Sequence, residues 1–188
     1  VPYSVLDAIT GYMIYDNANE DGNFRAGLKQ GDIEIAARQA GADFLGCDVD
    51  EVGYNCSSTQ NNYNLAANIS KEFKEGDEII VTQIDHQCNI QPWRSLARYG
   101  CVIKEVRLDP ETQQLDFDDY MSKLSDKTKL VAVNWAANGI GTITDVKKFI
   151  DEAHKVGAFT VVDAVHYAAH LPIDVKAIDT DCLVCSPY

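Results

Sequence analysis

The chain has 188 residues, 46% hydrophobic and 24% charged, the balance of a globular protein with apolar mass for a sizeable core. Lys+Arg number 16 against 29 Asp+Glu, a formal charge of −13. That acidity argues against nucleic acid or an anionic membrane as partner, because polyphosphate would be repelled. No apolar run approaches the roughly 20 residues of a membrane span. Val1-Pro2-Tyr3 opens without a signal-peptide pattern, and a first residue other than Met points to a missing start. Six scattered cysteines in a chain of this length do not make a disulfide scaffold, so the expectation is a soluble cytoplasmic protein with reduced thiols.

Taken in chain order, the periodicity alternates between helix and strand. Val5, Ile9, Tyr12 and Met13 recur at helical spacing. Asp21 to Gly27 reads as an irregular, glycine-punctuated stretch carrying Arg25. Ile33, Ala36, Ala37, Ala40 and Phe44-Leu45 mark a second helix, ended by Gly46. Val52–Tyr54 reads as a short strand, and Asn64–Ile69 lies inside a helix closed before Gly76. Glu78–Thr82 is a strand, Gln91–Tyr99 a helix stopped by Gly100, and Cys101–Val106 a strand. Phe117–Leu124 reads as helix, Lys129–Trp135 as a β-branched strand, and Asp145–Val156 as a helix with Gly157 after it. Ala158–Asp163 and Cys182–Cys185 complete the strands.

Strands separated by helices imply a mainly parallel sheet flanked by helices, an α/β fold, in a single domain. Cys182 and Cys185 have metal-motif spacing, but strand residues three apart face opposite sides of a sheet, so no metal site is expected.

Ligands of such sheets bind in the loops at the carboxyl ends of the strands, and the informative residues follow the strands. Cys56-Ser57-Ser58-Thr59 opens a helix with hydroxyls, suited to a phosphate or simply to capping. Asp85-His86 brings an imidazole that can stack on a ring or move protons. Asn138-Gly139-Ile140-Gly141 offers an amide and a tight turn. Asp163 ends an apolar strand, where a carboxylate needs a partner: a protonated pyridine nitrogen, or the amides of a following helix.

Several motifs in this order carry a resemblance. They are Asp85-His86 with Asn89-Ile90 and Pro92-Trp93, Asn138-x-x-Gly141-Thr142, Val162-Asp163-Ala164-Val165-His166, and Cys185-Ser186-Pro187-Tyr188. Gly76-Asp77-Glu78-Ile79 and His170-Leu171-Pro172-Ile173-Asp174-Val175 accompany them. Together they resemble the cysteine desulfurase-like branch of the class V aminotransferases, fold-type I enzymes that use pyridoxal 5′-phosphate. The resemblance implies the large cofactor-binding domain over residues 1–188, incomplete at both ends, with the Schiff-base lysine expected directly after Tyr188 and the small C-terminal domain beyond it.

It further implies roles. His86 stacks on the pyridine ring and Asp163 pairs with its nitrogen, the two catalytic positions. Asn138 and His166 approach the phenolic oxygen; Ser58, Thr59 and Ser186 hold the phosphate, and Tyr188 stands where relatives place a phosphate-contacting His. Arg25 would receive a substrate carboxylate. The implied reaction is sulfur removal from cysteine through an external aldimine, in a homodimer acting on a small amino acid. Transamination, selenocysteine cleavage and epimerisation are alternatives within the class; a non-catalytic scaffold without the lysine is the alternative outside it.

Overall fold

Isoleucine, valine and leucine crowd five short segments. In the computed structural model of the protein, which describes residues 1–20 and 22–187, those segments form one sheet. β1 (Glu78–Thr82), β2 (Val102–Val106), β3 (Thr128–Asn134), β4 (Phe159–Asp163) and β5 (Cys182–Val184) lie in the order β2-β1-β3-β4-β5, and every neighbouring pair is parallel. The expected α/β fold is therefore observed. The chain leaves β1 for β2 on one side, then returns to the other side with β3, β4 and β5. A crevice forms at the carboxyl ends where strand order reverses, here between β1 and β3.

Burial on both faces explains the composition of the inner strands, since Ile79, Ile80 and Val81 of β1 and Leu130–Val133 of β3 are essentially inaccessible. One face takes α3 (Ser58–Ile69) and α4 (Gln87–Arg94), whose Ala66, Ile90 and Trp93 pack on Ile79, Val81, Leu130 and Ala132. Elsewhere in this unit, α5 (Phe117–Lys123) and α6 (Val146–Lys155) share an aromatic cluster of Phe117, Tyr120 and Phe149. The Tyr120 hydroxyl donates to the Phe149 carbonyl at 2.8 Å. Edge strand β2 has Val102 exposed and Lys104 and Glu105 half-buried.

By contacts the chain divides into two units, Val1–Gly53 and Tyr54–Tyr188, and the whole sheet belongs to the second. In the first, α1 (Tyr3–Gly11) runs into a π-helical turn over Tyr12–Asp16, and α2 spans Arg25–Leu45. Arg25 thus opens a 21-residue helix, where the glycine-punctuated sequence suggested a loop. Gly27 is inside that helix because its missing Cβ would sit 2.6 Å from the Gly22 carbonyl oxygen; the close approach outweighs a propensity cost of about 1 kcal/mol. Gly46 ends the helix in the left-handed region, φ 73°, as expected. Val52–Tyr54 is not a strand. Val52 is extended but closes a 3₁₀ turn over Val49–Glu51 by donating to the Val49 carbonyl, so no ladder forms.

The helix expected from Gln91 begins earlier, at Gln87, because His86 caps it through its ring nitrogen. It tightens to 3₁₀ over Ser95–Tyr99. Pro92 lies inside α4 and has no N–H for the carbonyl four residues back, that of Cys88. The side-chain amide of buried Asn62, on α3, donates to that carbonyl at 3.0 Å. One polar contact therefore satisfies the helix and fixes α3 against α4. Asn62→Ala should destabilise the protein by about 1–3 kcal/mol, the cost of an unsatisfied buried carbonyl, measured by denaturant titration against Asn62→Gln. A loss no larger than that of an exposed Asn→Ala change would contradict this.

Candidate functional site

A cavity of about 280 Å³ opens at the carboxyl ends of β1, β3 and β4, small for a ligand pocket, which commonly measures roughly 300–1,000 Å³. Three groups of residues line it. Ser57, Ser58, Thr59 and Ser186 form a hydroxyl-rich end. Ser57 caps α3 by accepting from the Gln60 N–H at 3.1 Å, so Ser58 and Thr59 occupy the first turn. There, N–H groups lack intrahelical acceptors and the helix dipole favours an anion. Asn138 and His166 bring an amide and a second imidazole from the loops after β3 and β4. Asn138 sits at the tip of a turn closed by the Gly141 N–H on the Ala137 carbonyl, 2.8 Å. His86, Asp85, Cys88 and Asp163 complete the lining.

The polar chemistry of this last group is tightly specified. His86 accepts the Cys88 N–H on Nδ1 at 3.1 Å, which orients the ring and leaves Nε2 as the donor of its neutral form. Asp163, 5% exposed, accepts the Val165 N–H on Oδ1 at 2.9 Å and the Cys88 thiol on Oδ2 at 3.4 Å. Asp85, 8% exposed, accepts the His86 N–H at 2.7 Å and the Asn89 amide at 2.6 Å. Burial, then the charge of Asp163, pushes the Asp85 carboxyl well above the ordinary aspartate value. Burial raises Asp163 as well, against the lowering effect of the Val165 N–H, the Cys88 thiol and His86. Burial and the neighbouring Asp163 push the Cys88 thiol up to about 12, so it stays protonated and donates.

All seven residues expected to bind one ligand, Ser58, Thr59, His86, Asn138, Asp163, His166 and Ser186, therefore line one cavity. Arg25 belongs to the other unit. Its guanidinium meets Asp16 at 3.2 Å and donates to the Tyr15 carbonyl at 3.2 Å. Tyr188 and Asp21 lie outside the described residues. Among the described residues no helix is long and apolar enough to cross a membrane. Beyond Val184 the chain has left β5, so Cys185 is past the strand to which the sequence assigned it.

Ser57, Asp85 and Cys88 went unassigned by sequence reasoning. For Asp85 a signal existed: Asp85, Asn89 and Trp93 recur every four residues, which aligns them on one side of a helix start. The donor set fits pyridoxal 5′-phosphate. An anion subsite lies at the start of a 12-residue helix, a planar imidazole beside it, and two buried carboxylates have no Lys or Arg among the described residues as ion-pair partner.

The sequence profile of the Aminotransferase class-V family matches residues 1–187. The chain belongs to this family. It is 34% identical to a cysteine desulfurase of Synechococcus elongatus and 36% identical to a probable cysteine desulfurase of Synechocystis, covering 100% of the chain but 30% and 45% of those proteins. An aminotransferase-like protein of Gibberella zeae is 35% identical over 97% of the chain and 46% of its own length. The chain thus spans less than half of these class V relatives. The structure of the cysteine desulfurase of Thermococcus onnurineus superposes with a TM-score of 0.92 at 29% identity, over 99% of the chain and 46% of that protein.

The thiols give a direct check on this geometry. In the native full-length protein a thiol reagent should modify exposed Cys56 well before Cys88, followed by mass spectrometry of labelled peptides. Rapid labelling of Cys88 would mean that its thiol is not buried and donating to Asp163.

Proposed function

We propose that the protein of which this chain is part is a pyridoxal 5′-phosphate enzyme acting on an amino acid, cysteine desulfurase-like in its reaction. The observation that carries the reading is the buried Asp163, with no Lys or Arg partner among the described residues, in the cavity that also holds His86 and the start of α3. When bound, the cofactor supplies an electron sink for a carbanion at the substrate Cα. The chain's own residues make that sink effective. Asp163 accepts a hydrogen bond from the ring nitrogen and, as an anion, keeps that nitrogen protonated. His86, its ring fixed by the Cys88 N–H, lies against the ring face. Ser58, Thr59 and Ser186 bind the phosphate with the first amides of α3. Asn138 and His166 donate toward the phenolic oxygen.

A second reading, transamination, is favoured by the 35% identity to the aminotransferase-like protein of Gibberella zeae. Product analysis with cysteine separates the two, since a desulfurase releases alanine and sulfur. Full-length protein should acquire an absorbance band near the visible edge on incubation with the cofactor, and borohydride should fix the cofactor to a lysine following Tyr188. Absence of both would leave a non-catalytic scaffold. Asp163→Asn should retain cofactor but lose turnover by on the order of 10²-fold or more, the scale of losing one preorganised electrostatic contact; near-normal turnover would contradict its role. His86→Ala should weaken cofactor retention more mildly, since aromatic stacking is worth about 0.5–1.5 kcal/mol.

The same proposal places the chain in the large domain of a cytoplasmic homodimer, with Arg25 receiving the substrate carboxylate. The support is an arginine whose side chain is 75% exposed although it touches Asp16. Arg25→Lys should raise KM more than it lowers melting temperature, because an ammonium lacks the planar fork. An unchanged KM, or a fully active monomer by light scattering, would remove this part.

A further inference from the structure

Asp85 lies directly before the imidazole of the cavity, yet the proposed chemistry gives it no task. Its surroundings are specific. The indole N–H of Trp93 can only donate, and it donates to Asn89 Oδ1 at 3.2 Å. That fixes the amide of Asn89, so its Nδ2 faces Asp85 Oδ2 at 2.6 Å. The other oxygen, Oδ1, takes the His86 N–H at 2.7 Å. Trp93 and Asn89 are both completely buried. Protonating Asp85 would require an acceptor for its O–H, and neither neighbour offers one unless Asn89 turns over and abandons Trp93. The chain Trp93–Asn89–Asp85 therefore offers this carboxylate donors only, which favours its anionic form against the burial and the charge of Asp163 that push it upward.

Asp163 lines the same cavity and is served in the same manner, by the Val165 N–H and the Cys88 thiol. Four carboxylate oxygens on two buried residues thus all accept from neutral donors. The other titratable groups near them are His86 at the cap of α4, Cys88 on α4, His166 after β4 and Cys185 after β5. Two buried carboxylates without a Lys or Arg partner are costly, and a cation entering between them recovers that cost.

We propose that Asp85 is a second anionic anchor of this pocket, so that the ring is selected for its positive charge by two carboxylates and not by Asp163 alone. The inference rests on the reading that the cavity takes a pyridoxal-type ring. Burial and the charge of Asp163 push the Asp85 carboxyl upward; a cation between the two carboxylates would act in the opposite direction and favour the anion.

The test compares two ligands on full-length, cofactor-stripped protein at neutral pH. One is the amine form of the cofactor, which binds without a covalent link; the other is its deaza analogue, in which the ring nitrogen is a C–H. Wild type should prefer the protonatable ring. Asp85→Asn should lose on the order of tenfold of that preference, the equivalent of one pKa unit of interaction. Trp93→Phe, which frees Asn89 without touching the pocket, should lose less in the same direction. Circular dichroism checks that each variant folds. If Asp85→Asn does not fold, Trp93→Phe decides alone. An unchanged ratio in folded variants, with both ligands weakened equally or not at all, makes Asp85 a structural residue and overturns the inference only. Failure of wild type to bind either ligand overturns the reading of the pocket, and the inference with it.

Discussion

A carboxylate placed at the end of a buried strand governs this site. Asp163 follows four residues of β4 whose neighbours are β3 and β5, so its backbone is committed to the sheet and its side chain emerges where water is scarce. Removing a charge from water is expensive, and the protein answers with donors: the Val165 N–H and the Cys88 thiol. That second donor sets a condition on α4, which must begin close enough for Cys88 to reach. The beginning of α4 is set by His86 acting as its cap. Position of the imidazole, direction of the helix and solvation of the carboxylate are one arrangement.

The same helix carries an internal break that the arrangement tolerates. Pro92 deprives the Cys88 carbonyl of its helical donor, and Asn62 replaces it from α3. Because α3 begins with Ser58 and Thr59, this contact relates the hydroxyl-rich end of the cavity to the His86 end. Two loops far apart in sequence are thereby held in one register by a buried amide, and not by the loops themselves.

How much of this could be read from the residues depends on how local the cause is. Strands β1, β3 and β4 are buried on both faces, so their apolar runs stand out in the sequence to within a residue or two. The helix stop at Gly46 was equally plain, because only a residue tolerant of positive φ serves there. Arg25 was misplaced because a glycine-rich segment reads as irregular, whereas Gly27 lies inside the helix and answers the close approach of Gly22, five residues earlier, as the chain enters it. Val52–Tyr54 misled for the opposite reason: Val52 and Tyr54 suit an extended conformation, but a strand needs a partner, and Val52 bonds to its own turn. In the site, residues at strand ends were legible because topology puts ligands there. Cys88 was not, since its meaning comes from an Asp 75 positions away.

The two ends of the sheet differ in how their polar groups are satisfied. At the amino ends, Glu78 accepts from Lys104, Ser125 and Thr128. There too Asp181 accepts from the backbone and hydroxyl of Thr160, both at 2.8 Å, and contacts His154 at 3.0 Å. Burial alone would raise Asp181; these hydrogen bonds, with the charge of His154, hold it below the ordinary aspartate range, so the network stabilises the anion it surrounds. At the carboxyl ends the pattern reverses. Asp85 and Asp163 are raised, and buried polar atoms without partners occur at Asn62 Oδ1, Asn134 Nδ2 and Thr144 Oγ1. Asn134 stands in register with Asp163 itself. An unpartnered buried polar atom costs about 1–3 kcal/mol. The acids at the amino ends of the sheet are thus paired with Lys104 and His154, whereas at the carboxyl ends Asp163 is left to neutral donors.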